Sequence, residues 1–314
     1  MQMYVAKRML AVAPVLLGVS ILIFALVRII PGDMATILAG EDATPELVEQ
    51  IRTELGLDRP AIVQYTDWMG GILTGDFGTS LRTGLPVGPD IVRRLPVTIE
   101  LTMLTMLFSL GIGIPAGIAA ALRQDSWLDY TARLITVGGL SIPDFWTGLL
   151  LLLMPVIWFG WAPDLAYVPI WDDPFTNLQQ FMFPAFAMGI SLSSIVTRMV
   201  RSTLLEVLRS DYIRTARAKG ISESRVVTRH ALKNAFIPVM TILGLQLGRL
   251  LGGAVVLENI YGLPGLGRFA FASISERDFL MLQTIVLVFA AIYAFVNLTI
   301  DLTYAWLDPR IRYS

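Results

Sequence analysis

The chain has 314 residues, 55% hydrophobic and only 16% charged, with 24 Lys and Arg against 25 Asp and Glu and a mean hydropathy of +0.65. Soluble domains carry about a quarter charged residues, so this is the composition of a polytopic membrane protein. The absence of Cys excludes disulfides and thiolate-bound metals, and one His with few clustered acids argues against a zinc or di-metal centre.

Lys7 and Arg8 precede an uncharged run from Met9 to Val27. A signal-peptide core is about 7–15 residues, so the longer run is read as an uncleaved first span over about 9–30. Residues 31–93 are too polar to span and form an external segment. Within it, Thr44-Pro45-Glu46 reads as an N-cap, a proline at the first helical position and an early acid. This predicts a short amphipathic helix over 44–55, ended by Gly56. The stretch "GGILTGDFGTSLRTG" is rich in turn residues and is placed on the outer membrane surface.

Five further apolar runs follow, at about 99–122, 134–160, 182–203, 235–257 and 279–303. Each reaches the roughly 20 residues a span requires, and in lipid such runs must be α-helical because the backbone has to satisfy itself. Asp144 follows Pro143 and is placed at a kink in the third span. The expected fold class is therefore an all-α polytopic membrane protein with six transmembrane helices and both termini on one side. That side collects fifteen Lys and Arg against eight on the other, which by the positive-inside rule makes both termini cytoplasmic. The chain divides into an N-terminal region, 1–93, and a membrane core, 94–314.

The cytoplasmic segment 204–234 is the most basic part of the chain. From Arg214 to Lys233 it carries six Lys or Arg, one acid and the single His, His230. Leu204, Leu208, Tyr212 and Ala216 recur every four residues, so the helix leaving span four is expected to continue into the cytoplasm. Gly220 suits the left-handed conformation that ends a helix. Ser222 can cap a second short helix with a basic face of Arg225, Arg229 and Lys233. Two readings stand side by side: a helix–Gly–helix corner that docks in a groove of a cytoplasmic partner, or a solvated basic loop touching anionic lipid.

The same stretch resembles the cytoplasmic "EAA" loop of ATP-binding-cassette importer permeases. Arg214-Thr215-Ala216 is followed by Arg217-Ala218-Lys219, then Gly220, nine residues, and His230-Ala231-Leu232-Lys233. Arg214 stands where the pattern has an acid and Lys233 where it closes on proline, as is usual in the peptide-importer branch. "PGD", "ELGLDRP", "GDFGTSL", "RRLPVTIELT", "SIPDFW", "GGAVVLENIYGLPGLGR" and "DPRIR" extend the likeness over nearly the whole chain. They are similar to the B-type permease subunit of dipeptide and oligopeptide importers. The resemblance implies the type I importer permease fold in a bacterial inner membrane, and makes 204–234 the coupling loop. It implies a heterodimer with a C-type permease, two cytoplasmic ATPase domains that hold the ATP and Mg, and an external solute-binding protein. No cofactor in this chain and no nucleic-acid partner are expected.

The chain lacks a phosphate-binding loop of its own. "GLPGLGRF" at 262–269 has glycine spacing but no Lys-Ser/Thr, and "GIGIPA" at 111–116 lies inside span two; both are read as packing or turn features. In span five Gly244, Gly248 and Gly252 form a flat face for close helix approach or for a pathway. Arg249 in that span must face protein or water. Asp144, Glu258, Asn297 and Asp301 complete the polar groups in or near spans, each a candidate for structural pairing or for the pathway. The competing functional reading is an ion-coupled secondary transporter relaying charge through Asp144, Arg249 or Asp301. An intramembrane enzyme finds no nucleophile–base pair.

Overall fold

A helix that begins at Pro174 and does not end until Leu208 forms the spine of the larger of two structural units. The computed structural model describes residues 2–29, 34–40, 43–164 and 166–307, with side chains from 8 to 300 among them. In chain order the helices are α1 (Gln2–Ile29), α2 (Met34–Ala39), α3 (Pro45–Glu54), α4 (Ala61–Thr74), α5 (Val87–Leu122), α6 (Trp127–Ser141) and α7 (Asp144–Phe159). They continue as α8 (Pro174–Leu208), α9 (Asp211–Ala218), α10 (Glu223–Arg225), a π-helical turn (Val226–Ala231), α11 (Leu232–Tyr261), α12 (Leu266–Ser275) and α13 (Phe279–Leu307). No strand is present among the described residues, only an isolated bridge between Thr79 and Pro86. Among the described residues, five helices are long and apolar enough to cross a membrane, and a sixth span is made if α6 and α7 count as one.

The two units are residues 2–96 with 265–298, and residues 97–264 with 299–307. In the first, Thr44 caps α3 by accepting a 3.4 Å hydrogen bond from the Leu47 N–H, with Pro45 at the first helical position and Gly56 left-handed (φ +64°) after the helix. The turn-rich reading of 70–84 is only partly right, because Gly70 and Gly71 lie inside α4. That helix is stabilised from a distance: Phe24 of α1 stacks on Trp68 and meets Tyr65 edge-on, and Ser20 pairs with the Tyr65 hydroxyl at 2.8 Å. Beyond it, Asp278 accepts from the Ser80 hydroxyl at 2.6 Å and from the Met281 N–H at 3.1 Å, tying the 79–86 turn to the start of α13. Val87, Ile91, Leu266, Phe269, Ala270, Met281 and Ile285 form the core beneath.

In the second unit α8 packs on α6, α7 and α11. It starts earlier than the expected span at 182, since the Asp173 carboxylate caps it through the Phe175 and Thr176 N–H groups. Asn177 and Gln180, both buried, stitch the 164–168 loop to its first turns through the Val168, Asp164 and Ala166 carbonyls. The expected continuous span 134–160 is two helices meeting at 94°. Ile142 precedes Pro143 and is extended (φ −94°, ψ 124°). The proline ring disfavours helical geometry in the residue before it, so the kink placed at Asp144 is a complete break. α5 and α8 touch through Gly113 and Gly117: an added Cβ would lie 2.8 Å from the Ser193 and Thr197 carbonyl oxygens respectively. The Thr197 hydroxyl donates to the Gly113 carbonyl at 3.3 Å across this contact.

Candidate functional site

The basic segment folds around a corner. α8 ends at Leu208, and Ser210 adopts extended geometry (φ −71°, ψ 152°) before α9 begins at Asp211. The expected continuation of span four to Gly220 is thus broken at Arg209–Ser210. Ser210-Asp211 is a helix-start signature, a cap residue followed by a first-turn acid that favours the positive end of the helix dipole. The break shifts the helical phase by one residue. Ile213, fully buried, takes the inward position, and Tyr212 is 42% exposed. Ile213 and Ala216 join Leu204, Ala121, Val226, Ala231 and Ala235 in one cluster, with Leu208 and Leu232 packed against its edge. Burial of a side chain the size of Ile213 contributes about 1.5–3 kcal/mol relative to exposure, so the cluster anchors α9.

The outer face of the same short helix is open. Arg214, Thr215, Arg217, Ala218, Lys219 and Gly220 are all exposed. Gly220 is left-handed (φ +74°), as expected, and nothing in the chain lies within 4 Å of the position its Cβ would take. Across the corner Arg217 holds Glu223 with Nε (3.0 Å) and Nη2 (2.6 Å), and this partner raises the pKa of Arg217 above the ordinary arginine value. Ser222 sits at the N-cap of α10 with no side-chain capping bond. Arg225, Arg229 and Lys233 are exposed.

The second helix of the corner is longer than expected. Its chain runs without a break from Glu223 to Tyr261, 39 residues, so the corner and span five are one rod. The π turn lies where the two expected elements would have met, with the Leu232 N–H reaching the Val227 carbonyl five residues back. The His230 carbonyl accepts from the Tyr212 hydroxyl and the Asn234 amide, each at 3.4 Å, and Asn234 also donates to the Tyr212 oxygen at 2.7 Å. Tyr212, turned outward by the phase shift, thereby clasps α9 to the start of α11.

A second polar cluster was not legible as a site. Asp129, fully buried in the first turn of α6, accepts from Arg201 of α8 at 2.5 and 2.7 Å. It also accepts from Arg133 Nε at 3.1 Å and from the Asp125 N–H at 3.0 Å. In the sequence Arg133 and Arg201 counted only as positive-side charges. One acid at 129 with Arg four residues on is a local helix pair; the partner at 201 is visible only in three dimensions.

Among the intramembrane candidates, Asp144 and Arg249 are brought together. With Ser191, Gln246 and apolar neighbours they line one small cavity between α7, α8 and α11. Asp144 lies on the α7 side of this cavity and Arg249 on the α11 side, with Ser191 of α8 between them in sequence order. Glu258 is fully buried and accepts from the Thr98 hydroxyl at 2.6 Å. Asn297 donates to the Tyr293 carbonyl of its own helix at 3.1 Å, and the Asp301 side chain lies outside the described residues. The three glycines of α11 do not share one environment. Gly244 is buried, Gly248 partly so, and Gly252 faces open space within the chain.

Residues 113–313 match the family model described as binding-protein-dependent transport system inner membrane component, and residues 1–102 match its N-terminal counterpart. The dipeptide transport system permease protein DppB of Alkalihalophilus pseudofirmus is 41% identical, with 99% of both chains covered. The glutathione transport system permease protein GsiC of Salmonella choleraesuis is 40% identical, again with 99% of both covered. Among solved structures, a chain of the methionine ABC transporter MetNI in an inward-facing conformation shares the fold, with a TM-score of 0.55 at 18% identity, covering 69% of this chain and 96% of that one.

Proposed function

We infer the function from a plain premise: the chain belongs to the family of binding-protein-dependent transport system inner membrane components. On it we propose one of two permease subunits of an ATP-driven importer of di- and oligopeptides, seated in a bacterial cytoplasmic membrane with both termini inside. The second permease is a homologue of this chain. Two ATPase domains, with their ATP and Mg, cap the cytoplasmic face, and a solute-binding protein delivers cargo from outside. The names of the relatives, a dipeptide and a glutathione permease among them, support the peptide class.

One observation carries the assignment of the coupling role to residues 211–231. Ile213 and Ala216 are buried and fix α9, while the six residues from Arg214 to Gly220 other than Ala216 are exposed at a corner pinned by Gly220. A solvated loop has no need of a buried anchor. An exposed edge on a fixed base suits a surface that must push and be pushed.

The test uses the absence of native Cys. Ala218→Cys in the assembled importer should cross-link to a single Cys placed on the ATPase surface by a short bismaleimide, with the yield changing between the ATP-bound and nucleotide-free states. An assembled, ATP-hydrolysing importer in which position 218 never cross-links would sink the coupling role.

A further inference from the structure

α5 and α6 both rest on α8, and between them runs a groove. α5 approaches α8 at Gly113 and Gly117. α6 meets it at Gly139, where an added Cβ would run into the Ser194 hydroxyl, and at the Asp129–Arg201 pair. Small side chains on the flanks, Ala116 and Ala119 of α5 and Ala132 of α6, keep the space between the two helices open. It consists of two adjoining hollows of about 580 and 250 Å³ that share Ala119 and Leu128.

The hydroxyls that line the groove are already engaged. Ser193 and Ser194 donate to the Ile190 carbonyl at 2.8 and 3.0 Å, Thr136 to the Ala132 carbonyl at 2.6 Å and Thr197 to the Gly113 carbonyl at 3.3 Å. Their donors are spent within the protein, so the walls suit a guest without hydrogen-bonding groups. From Ile112 to Leu122 α5 rises about 15 Å, half of the roughly 30 Å hydrocarbon core of a bilayer. The groove is as deep as one leaflet.

Its open end has a different chemistry. Arg123 completes the lining just after α5 and is exposed. Among the described residues no acid pairs with it. The neighbouring Asp125 is taken by Arg133 at 3.3 Å. Arg209, at the end of α8, donates to the Gln124 side chain at 3.2 Å and brings a second guanidinium to this end. Trp127 and Tyr130 of α6, 73% and 58% exposed, flank it. Tryptophan and tyrosine collect at the headgroup level of a membrane, which puts Arg123 at that depth.

We propose that the groove between α5 and α6 is a binding site for an anionic phospholipid. One acyl chain lies along Ile112, Ala116 and Ala119, and the phosphate rests on Arg123, with Arg209 adding positive charge. A zwitterionic lipid fits the same walls but brings its own cation to two guanidiniums, so it binds more weakly. Basic pockets at the cytoplasmic ends of spans select anionic headgroups in this way. Once seated, the acyl chain is packing shared by α5, α6 and α8. No bond is made or broken. The inference needs only a membrane-embedded chain and holds whatever cargo is carried.

The test uses the complete importer in vesicles of phosphatidylethanolamine with phosphatidylglycerol as the minority lipid. A trace of phosphatidylglycerol carries a diazirine in one acyl chain, and peptide mass spectrometry locates the adducts after illumination. They should concentrate on the groove lining between Ile112 and Thr136. A phosphatidylcholine probe with the same acyl chain should label these residues about fivefold less, the weight of one basic residue at an anionic surface. Arg123→Gln should lower phosphatidylglycerol labelling to the phosphatidylcholine level. Ala119→Phe places a ring in the groove and should abolish labelling by both probes. Both positions are exposed, so neither change disturbs the core. Equal labelling by the two probes, or labelling unchanged in Arg123→Gln, overturns the site and leaves ordinary surrounding lipid. Labelling of the purified single chain but not of the assembled importer also overturns it, because a helix of another subunit then covers the groove. The adducts are read whether or not peptide is transported, so failure of the peptide reading and failure of this site are told apart.

Discussion

Arg217 and Glu223 are bonded over the Gly220 corner by two parallel contacts of 3.0 and 2.6 Å, although six residues and a change of helix separate them. Both are surface residues, 41% and 58% exposed. Exposed pairs contribute about 0.2–1 kcal/mol and are screened by salt. A double-mutant cycle with Arg217→Ala and Glu223→Ala should return a coupling in that range from thermal melts in detergent. It should shrink at high salt. A coupling that does not respond to salt would mean the pair is shielded by something not seen in the single chain.

Gly220→Val should leave insertion intact and damage coupling. The left-handed conformation costs an L-residue about 1–2 kcal/mol, and no neighbouring atom adds a clash. The importer should assemble and still dock its binding protein. Stimulation of ATP hydrolysis by cargo-loaded binding protein should be lost. Gly220→Asn should recover part of it, because Asn tolerates this conformation better than Val. Full stimulation in the Val variant would show that the corner is not what the ATPase reads.

Asp129→Ala should be among the most damaging single changes. It removes the shared partner of Arg133 and Arg201 and leaves the 20%-exposed Arg201 uncompensated. Breaking a buried pair on one side costs about 3–5 kcal/mol. The expected readout is a fall in detergent melting temperature together with easier proteolysis in the 123–127 loop. Asp129→Asn should be milder, since its carbonyl still accepts.

Two glycines should behave oppositely. Gly117→Ala would place a Cβ 2.7 Å from the Val200 Cβ and 2.8 Å from the Thr197 carbonyl, and overpacking of this kind costs about 1–3 kcal/mol. The purified chain alone should melt lower. Gly252→Ala meets nothing in the chain, so the chain alone should be unaffected. If the second permease covers that face, the assembled importer should be the form that loses stability.

Sidedness is directly measurable. Gln50→Cys should react with a membrane-impermeant maleimide from outside, and Lys219→Cys only from the cytoplasmic face. Both positions are exposed in the chain. Labelling of position 50 from the cytoplasmic face alone would invert the topology.

What was legible in the sequence was mostly what a few neighbouring residues decide among themselves. Thr44-Pro45 announces a helix start because the cap and the fixed proline φ act within one turn, and Gly220 announces a left-handed corner because it lacks a Cβ. Where distant packing decides, the reading slipped. Gly70 and Gly71 suggested a turn, but α4 is stabilised by the Phe24 ring on α1. Tyr212 was placed in a four-residue series with Leu204, Leu208 and Ala216, but the break at Arg209–Ser210 puts Ile213 in the cluster beside Ala216 and leaves Tyr212 outside it. Pro143 told that the third span bends. The 94° depends on what each half packs against, which no local pattern carries. The Asp129 cluster needed a partner 72 residues away.

The π turn at Val226–Ala231 has a further meaning if it is counted as arithmetic. A π turn accommodates one residue more than the α-helix around it needs, and each residue of an α-helix corresponds to a rotation of about 100°. Deleting a single residue there would leave the composition, the hydrophobicity and the length of span five almost untouched. It would nonetheless rotate Arg249 and Gly252 by about a quarter of a circle relative to Arg217 and Gly220. The angular setting between the two ends of the rod is thus stored in one surplus residue. Permeases of this kind could be re-registered, in the laboratory or by descent, through a single codon.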